Sequence, residues 1–354
     1  MKILFIGSSN LILQNGISEK IPYFLSIAGL PTISSITNLS VGGTGSLFGW
    51  ERVTRLEEND YNLIIIDYGI TDLFIKENDY NLWKEGFKGL IRQLKSRFPH
   101  ALIANILLGR RDASLWNQQT RLHKEMSDIS FKHGVHTIDV DTHLKQKELS
   151  EVFPSLYKDD NHYIAPLGVN YVAQFCALQL INLLRNQCNF ATPLKDDEQE
   201  IKLHVTPFTG KKREFVGTRF HWTAFKLMLN EQVTMQVPGV PIGISFVSTA
   251  ESCSLYIRAN QIARIANTAT AWTQMGLFPF IVTHTPIHGM WHKGMLCPTS
   301  SCLELRGINS HSSLWDESLV QNHGYPEGRA DSLTQANPQL AGVFLDAITS
   351  WTWN

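Results

Sequence analysis

The chain has 354 residues, of which 43% are hydrophobic and 18% charged, with a net charge of −1. This composition belongs to globular proteins and excludes a disordered or fibrous chain. No basic excess exists to support a nucleic-acid partner. A length of 354 residues exceeds what one compact core usually spans, which argues for two domains.

No run in the sequence approaches the ~20 apolar residues that cross a bilayer. The N-terminus enters a strand-like run at once, without the charged and apolar regions of a leader. The expectation is a cytoplasmic protein with no membrane span. Five cysteines (Cys176, Cys188, Cys253, Cys297 and Cys302) are sparse and odd in number. That pattern fits a reducing compartment better than a disulfide framework.

From residue 1 to about 185, short apolar runs alternate with longer amphipathic ones. KILFI (2–6) leads into a stretch ending near IAGL, and then come PTISSITNLS (31–40), NLIIIDYG (62–69), ALIANILLG (101–109) and GVHTIDV (134–140). Helical patterns cover 82–98, 114–134 and 166–186. Five strands separated by helical lengths predict βαβ units, hence a five-stranded parallel sheet of the flavodoxin-like three-layer kind, covered on both faces. Ligands of such sheets bind at the carboxyl ends of the strands. The polar stretch 187–200 reads as a linker. Beyond it KLMLNEQVTMQV, GISFVST, SCSLYIRA and FPFIVTHT read as strands broken by turns. Residues 201–354 are therefore expected to form a second, mainly β domain, a sandwich being one arrangement of it.

The unusual residues fall at strand ends. Gly7, Ser8, Ser9 and Asn10 follow the first strand, and NLSVGGTGS, with Gly42, Gly43 and Gly45, follows the second. DYGITDL, with Gly69, Thr71 and Asp72, follows the third, and KDDNHYIAPLG places Asp159 three residues before His162. Each block alone has a plain reading. Serines after a strand cap helices, and paired glycines serve tight turns. Asp-x-x-His is common by chance.

In this order, the four blocks resemble the SGNH/GDSL hydrolase family over residues 1–186. The resemblance implies that Ser9, in Gly7-Ser8-Ser9, is the nucleophile and lends its N–H to an oxyanion hole. It makes Gly43, with Asn38 upstream, the second oxyanion donor, and puts Thr71 in the third block. Asp159 and His162 complete the triad. Two residues depart from the family pattern. Ser8 replaces an Asp that mainly shapes the loop. Thr71 replaces the Asn of the third block, and a threonine offers one shorter O–H where an asparagine offers two N–H donors. Asn10 or a backbone N–H is an alternative donor.

The chemistry is consistent with that assignment. A serine hydroxyl needs a base within hydrogen-bond reach, and a histidine oriented by a carboxylate supplies one. The expected function is ester hydrolysis of O-acyl groups, O-acetyl first among them, on a small-molecule or carbohydrate substrate, with no dissociable cofactor. Transfer of the acyl group to a sugar hydroxyl would use the same triad. A non-catalytic carbohydrate-binding protein on a degenerate hydrolase scaffold is the reading of a different class, motivated by Thr71.

Other residues carry weaker signals. His284, His288 and His292, followed by Cys297 and Cys302, have the spacing of metal ligands on a helix. Pro286 and Gly289 break such a helix, so loop or strand histidines are the expected state and no metal is assigned. Trp222, Trp272, Trp291, Trp315, Trp351 and Trp353 lie in the second half, as core residues or stacking platforms. Arg110 and Arg111 follow the fourth strand and read as solvated charge, with an anionic substrate as the alternative. Asp139 and Asp141 follow the fifth and read as caps or loop structure.

Overall fold

The structure, a computed structural model, describes residues 1–58, 60–146, 152–186, 201–217, 221–290, 298–321 and 341–353. The chain divides into two compact units, residues 1–77 with 83–197, and residues 78–82 with 198–354. The proposed linker, 187–200, lies outside the described residues.

The first unit is built on five parallel strands: β1 (Lys2–Gly7), β2 (Ser35–Asn38), β3 (Leu63–Asp67), β4 (Leu102–Leu107) and β5 (His136–Asp139). Their order in the sheet is β2-β1-β3-β4-β5. β1, β3 and β4 are predominantly apolar, and the alternation of side chains sends half to each face. Ile3, Phe5, Leu63, Ile65, Ala104 and Ile106 enter one continuous core with α2 (Ile17–Ile27), α7 (Val140–Leu144) and α8 (Leu167–Arg185). Leu4, Ile6, Ile64 and Ile66, also fully buried, point to the opposite face. Burying such a side chain contributes roughly 1.5–3 kcal/mol, so a sheet apolar on both sides needs helices on both. The remaining helices are α1 (Ser9–Ile12), α3 (Ser46–Arg55), α4 (Asp72–Asn78), α5 (Tyr80–Arg97) and α6 (Trp116–Lys132).

Two expectations need adjustment here. PTISSITNLS contributes only the four residues of β2. By length and composition, α8 does meet the requirement for crossing a membrane, contrary to the reading that no segment did. Its stripe Val169, Val172, Ala173, Cys176, Ala177 and Leu180 lies in the core of the first unit.

The second unit is mainly antiparallel sheet. Its strands are β6 (Ile201–Pro207), β7 (Lys212–Val216), β8 (His221–Met228), β9 (Gln232–Pro238), β10 (Val240–Ser248), β11 (Ser254–Ala259), β12 (Ile262–Asn267), β13 (Ile281–Pro286), β14 (Ser300–Ile308), β15 (Val320–Gln321) and β16 (Gly342–Trp353), with a one-turn helix α9 (Ala271–Gln274). One sheet runs β13-β10-β16-β8-β7, with β6 also on β16, and the other runs β15-β12-β11-β14-β9. The two approach each other along β10 and β16 on one side and β9 and β14 on the other. KLMLNEQVTMQV, read as one strand, is two strands in different sheets. Asn230 turns the chain with φ +66°, and the Met228 N–H donates to Glu231 Oε2 at 2.8 Å. Asn tolerates this left-handed backbone without glycine, so no punctuating residue marked the break. Trp351 is fully buried on β16.

Candidate active site

The carboxyl ends of the strands in the first unit bring all four blocks together through hydrogen bonds: the Ser8 N–H reaches the Asp67 carbonyl at 3.1 Å, the Val41 N–H reaches the Gly7 carbonyl at 3.0 Å, and His162 meets Ser9. Ser9 opens α1 directly after β1, with Ser8 in extended backbone at φ −105° before it. The Ser9 hydroxyl lies 2.8 Å from His162 Nε2. His162 Nδ1 lies 2.9 Å from both carboxylate oxygens of Asp159. An ionised carboxylate only accepts, so Nδ1 carries the ring proton and Nε2 is left to accept from Ser9. Asp159 also accepts the N–H groups of Asn161 and His162, at 2.9 and 3.0 Å. Partial burial pushes its carboxyl up, but the Asn161 N–H and then His162 outweigh burial and hold it below the usual carboxylate value. A base with a fixed tautomer and an ionised orienting partner is what a serine nucleophile requires.

Ser8 does not share this arrangement. It is buried, and its hydroxyl has no hydrogen-bond partner among the described residues. Asn10 gives its amide to the Asn161 carbonyl at 2.9 Å, tying the serine loop to the histidine loop. That bond takes one of the two N–H donors of its amide. Asn38 is likewise structural: its amide donates to the Leu11 carbonyl at 2.7 Å and its carbonyl takes the Ser40 N–H at 3.0 Å.

Gly43 sits at φ +69° in a turn closed by the Thr44 N–H on the Val41 carbonyl at 3.4 Å. Glycine reaches that backbone without the steric cost other residues bear. Among the described residues no acceptor takes the N–H of Ser9 or of Gly43. Thr71 precedes α4, and its hydroxyl is buried with no hydrogen-bond partner among the described residues. Such buried orphans are rare and call for an explanation, a ligand being one.

Asp72, next in the chain, is fully buried, and burial raises its carboxyl to about 6, against the pull of its hydrogen bonds from Ser46 and Trp83. It takes the Ser46 N–H at 2.7 Å and the Trp83 indole N–H at 3.0 Å, so it holds the N-terminus of α3. Burial drives Asp67, at the end of β3, up to about 8, opposed by the Gly69 N–H and reinforced by Asp72.

Arg110 contradicts the expectation of solvated charge. It is only 6% exposed, lies over the Phe74 ring at 5.5 Å, and keeps Nε and Nη1 without partners among the described residues. Burial lowers its pKa, while Asp112 and Asp160 pull it back. Arg111 is exposed and pairs with Asp160 at 2.9 Å. Asp139 caps α7 through the Thr142 N–H at 2.8 Å. Asp141 is buried and lies 2.7 Å from the Lys145 ammonium.

His284 stands on β13, 3.4 Å from the Thr349 hydroxyl, and His288 follows that strand in a turn. His292 and Cys297 lie outside the described residues. Among the described residues no three His, Cys, Asp or Glu side chains gather as metal ligands. Sequence reasoning missed Gln119, His123 and Tyr163. Tyr163 adjoins His162, and its hydroxyl takes the Gly109 N–H at 3.1 Å, which joins the histidine loop to the end of β4.

No family model matches the chain, and no curated protein does. Among solved structures, a two-domain esterase active on acetylated mannans, co-crystallised with mannopentaose, superposes with a TM-score of 0.65 at 14% identity, covering 100% of this chain and 91% of that one. A second structure of the same description gives 0.64 at 12% identity, covering 100% and 92%. A catalytic mutant of an acetylxylan esterase from Geobacillus stearothermophilus covers 51% of this chain and 92% of its own, with a TM-score of 0.42 at 14% identity. At such identities the likeness is one of fold: the α/β unit and the β-rich unit occur together, in this order, in a known two-domain esterase.

Proposed function

We propose that the protein is a serine-dependent ester hydrolase that removes O-acetyl groups from a carbohydrate. The observation that carries this reading is the unbroken hydrogen-bonded series from the Ser9 hydroxyl through His162 to Asp159, at 2.8 and 2.9 Å. In the proposed course, Ser9 Oγ attacks the acetyl carbonyl while His162 Nε2 takes its proton. The tetrahedral oxyanion is received by the N–H groups of Ser9 and Gly43 and by the Thr71 hydroxyl. The His162 imidazolium, stabilised by Asp159, then protonates the departing sugar oxygen, leaving an acetyl ester on Ser9. Water deprotonated by His162 attacks that ester, acetate leaves, and Ser9 recovers its proton.

The intact triad favours catalysis over a binding role on a degenerate scaffold. The carbohydrate half of the proposal is an analogy of fold, drawn from the two-domain esterase active on acetylated mannans. Acetate release from acetylated mannan and acetylated xylan, with Ser9→Ala as control, tests it. Release by the wild-type protein alone is the expected result. Equal release by both proteins, or none from either polysaccharide, contradicts it.

A further inference from the structure

We propose that α6 is a positioning element for catalysis: Gln119 and His123 hold the Gly69 carbonyl, and so set Thr71, two residues on, where its hydroxyl meets the oxyanion. The proposal rests on the hydrolase reading above and adds residues to it.

Among the described residues the Thr71 side chain has no hydrogen-bond anchor of its own, and the Thr71 carbonyl accepts only the Phe74 N–H, at 3.4 Å. The loop that carries it is held from beneath instead. The Gly69 carbonyl lies 3.3 Å from Gln119 Nε2 and 3.1 Å from His123 Nε2. These residues are one helical turn apart on α6, which puts them on the same face, and both are buried, Gln119 completely. The imidazole closes directly on the backbone: a Cβ at residue 69 would come within 2.9 Å of His123 Nε2. That close approach, rather than an unusual φ, is what Gly69 allows.

His123 is itself braced. Facing a carbonyl, Nε2 must carry a proton. Nδ1 lies 3.4 Å from Asp141 Oδ2, and Asp141 is held in turn by the Lys145 ammonium at 2.7 Å. Burial pushes the Asp141 carboxyl up, yet His123 and then Lys145 outweigh burial and keep it below its ordinary value. With Nε2 donating to the carbonyl, Nδ1 can donate to that carboxylate only in the charged imidazolium, which then holds the ring at both nitrogens. Gln119 extends the grip to the neighbouring strand end. Its Nε2 is 3.2 Å from the Leu108 carbonyl, and its Oε1 takes the Arg110 N–H at 3.2 Å. One face of α6 therefore fixes the loops after β3 and β4 relative to each other.

The test is a mutant cycle with Thr71, read on a chromogenic acetyl ester with the full-length protein. His123→Leu removes one donor from the Gly69 carbonyl. It is expected to lower kcat by ~10–100-fold through misplacement of the loop, with KM within about twofold of wild type. His123→Gln, which keeps an N–H for the same carbonyl, recovers most of that loss. Because the effect runs through Thr71, the His123→Leu/Thr71→Val double variant is expected within about threefold of Thr71→Val alone. Losses that multiply in the double variant, a loss carried by KM, or an unchanged kcat overturn the proposal. Should His123→Leu lose its cooperative melting transition, Asp141→Asn carries the same cycle with the ring in place. A wild-type protein that releases no acetyl group overturns the hydrolase reading and this proposal together. An active wild type with unaffected variants removes the positioning role alone.

Discussion

Ser8 and Ser9 are neighbours with the same side chain, and their surroundings separate them. Ser9 meets a histidine nitrogen at 2.8 Å, whereas the Ser8 hydroxyl is buried without a partner among the described residues. Ser8→Ala is therefore expected to leave kcat within about threefold of wild type, since it removes an orphan and breaks no bond. Asp159→Asn keeps the shape of the triad but puts an amide where Nδ1–H needs an acceptor. A fall in kcat of ~10⁴-fold is expected from the wrong tautomer, with the fold intact by circular dichroism. The candidate triad was legible before any coordinates, because its members stand in short blocks with fixed offsets. Arg110 was not: it is buried with its guanidinium over the Phe74 ring of α4, and two adjacent arginines carry no trace of that. Gln119 and His123 were silent for a related reason. Polar residues four apart on an amphipathic helix read as its wet face, and only packing reveals that they point at a buried carbonyl.

Several elements of the first unit were legible because β1, β3 and β4 are buried on both faces and read as predominantly apolar runs. Strands of the second unit were harder to see. β7, β12 and β14 mix charged and apolar residues, and the turn at Asn230 lacks glycine or proline. Buried side chains tie loops of the first unit to neighbouring elements, beside the backbone hydrogen bonds those loops make themselves. Asp72 shows this, since it joins the third block to the N-terminus of α3 and to Trp83. Asp72→Ala orphans the Ser46 N–H, which has no carbonyl ahead of it in the helix. A loss of ~2–3 kcal/mol in unfolding free energy is expected from buried donors left unmade. Urea titration at pH 7 measures it, and an unchanged midpoint would show that α3 does not depend on Asp72.

At the scale of the whole molecule, buried carboxyls make stability depend on pH. Asp67 is fully buried at the end of β3 with its pKa raised to about 8. The folded state therefore keeps a proton that the unfolded chain has released above ~4, and stability falls as pH rises from about 4 to 8. Asp67→Asn removes that dependence. Its gain in melting temperature over wild type is expected to be small at pH 5 and several degrees at pH 8; an equal gain at both values would mean that Asp67 does not titrate in this range. The parallel sheet of the first unit carries the candidate triad at its carboxyl edge, where open α/β folds hold their ligands. The proposed hydrolysis stands or falls on acylation of Ser9 at that edge. Brief incubation with a chromogenic acetyl ester, acid quenching and peptide mass spectrometry test it most directly. An acetyl increment on the peptide containing Ser9 is expected, formed with a burst of chromophore and absent from Ser9→Ala. Folded protein that releases chromophore with no burst and no adduct, or that carries the acetyl group on another residue, would contradict it.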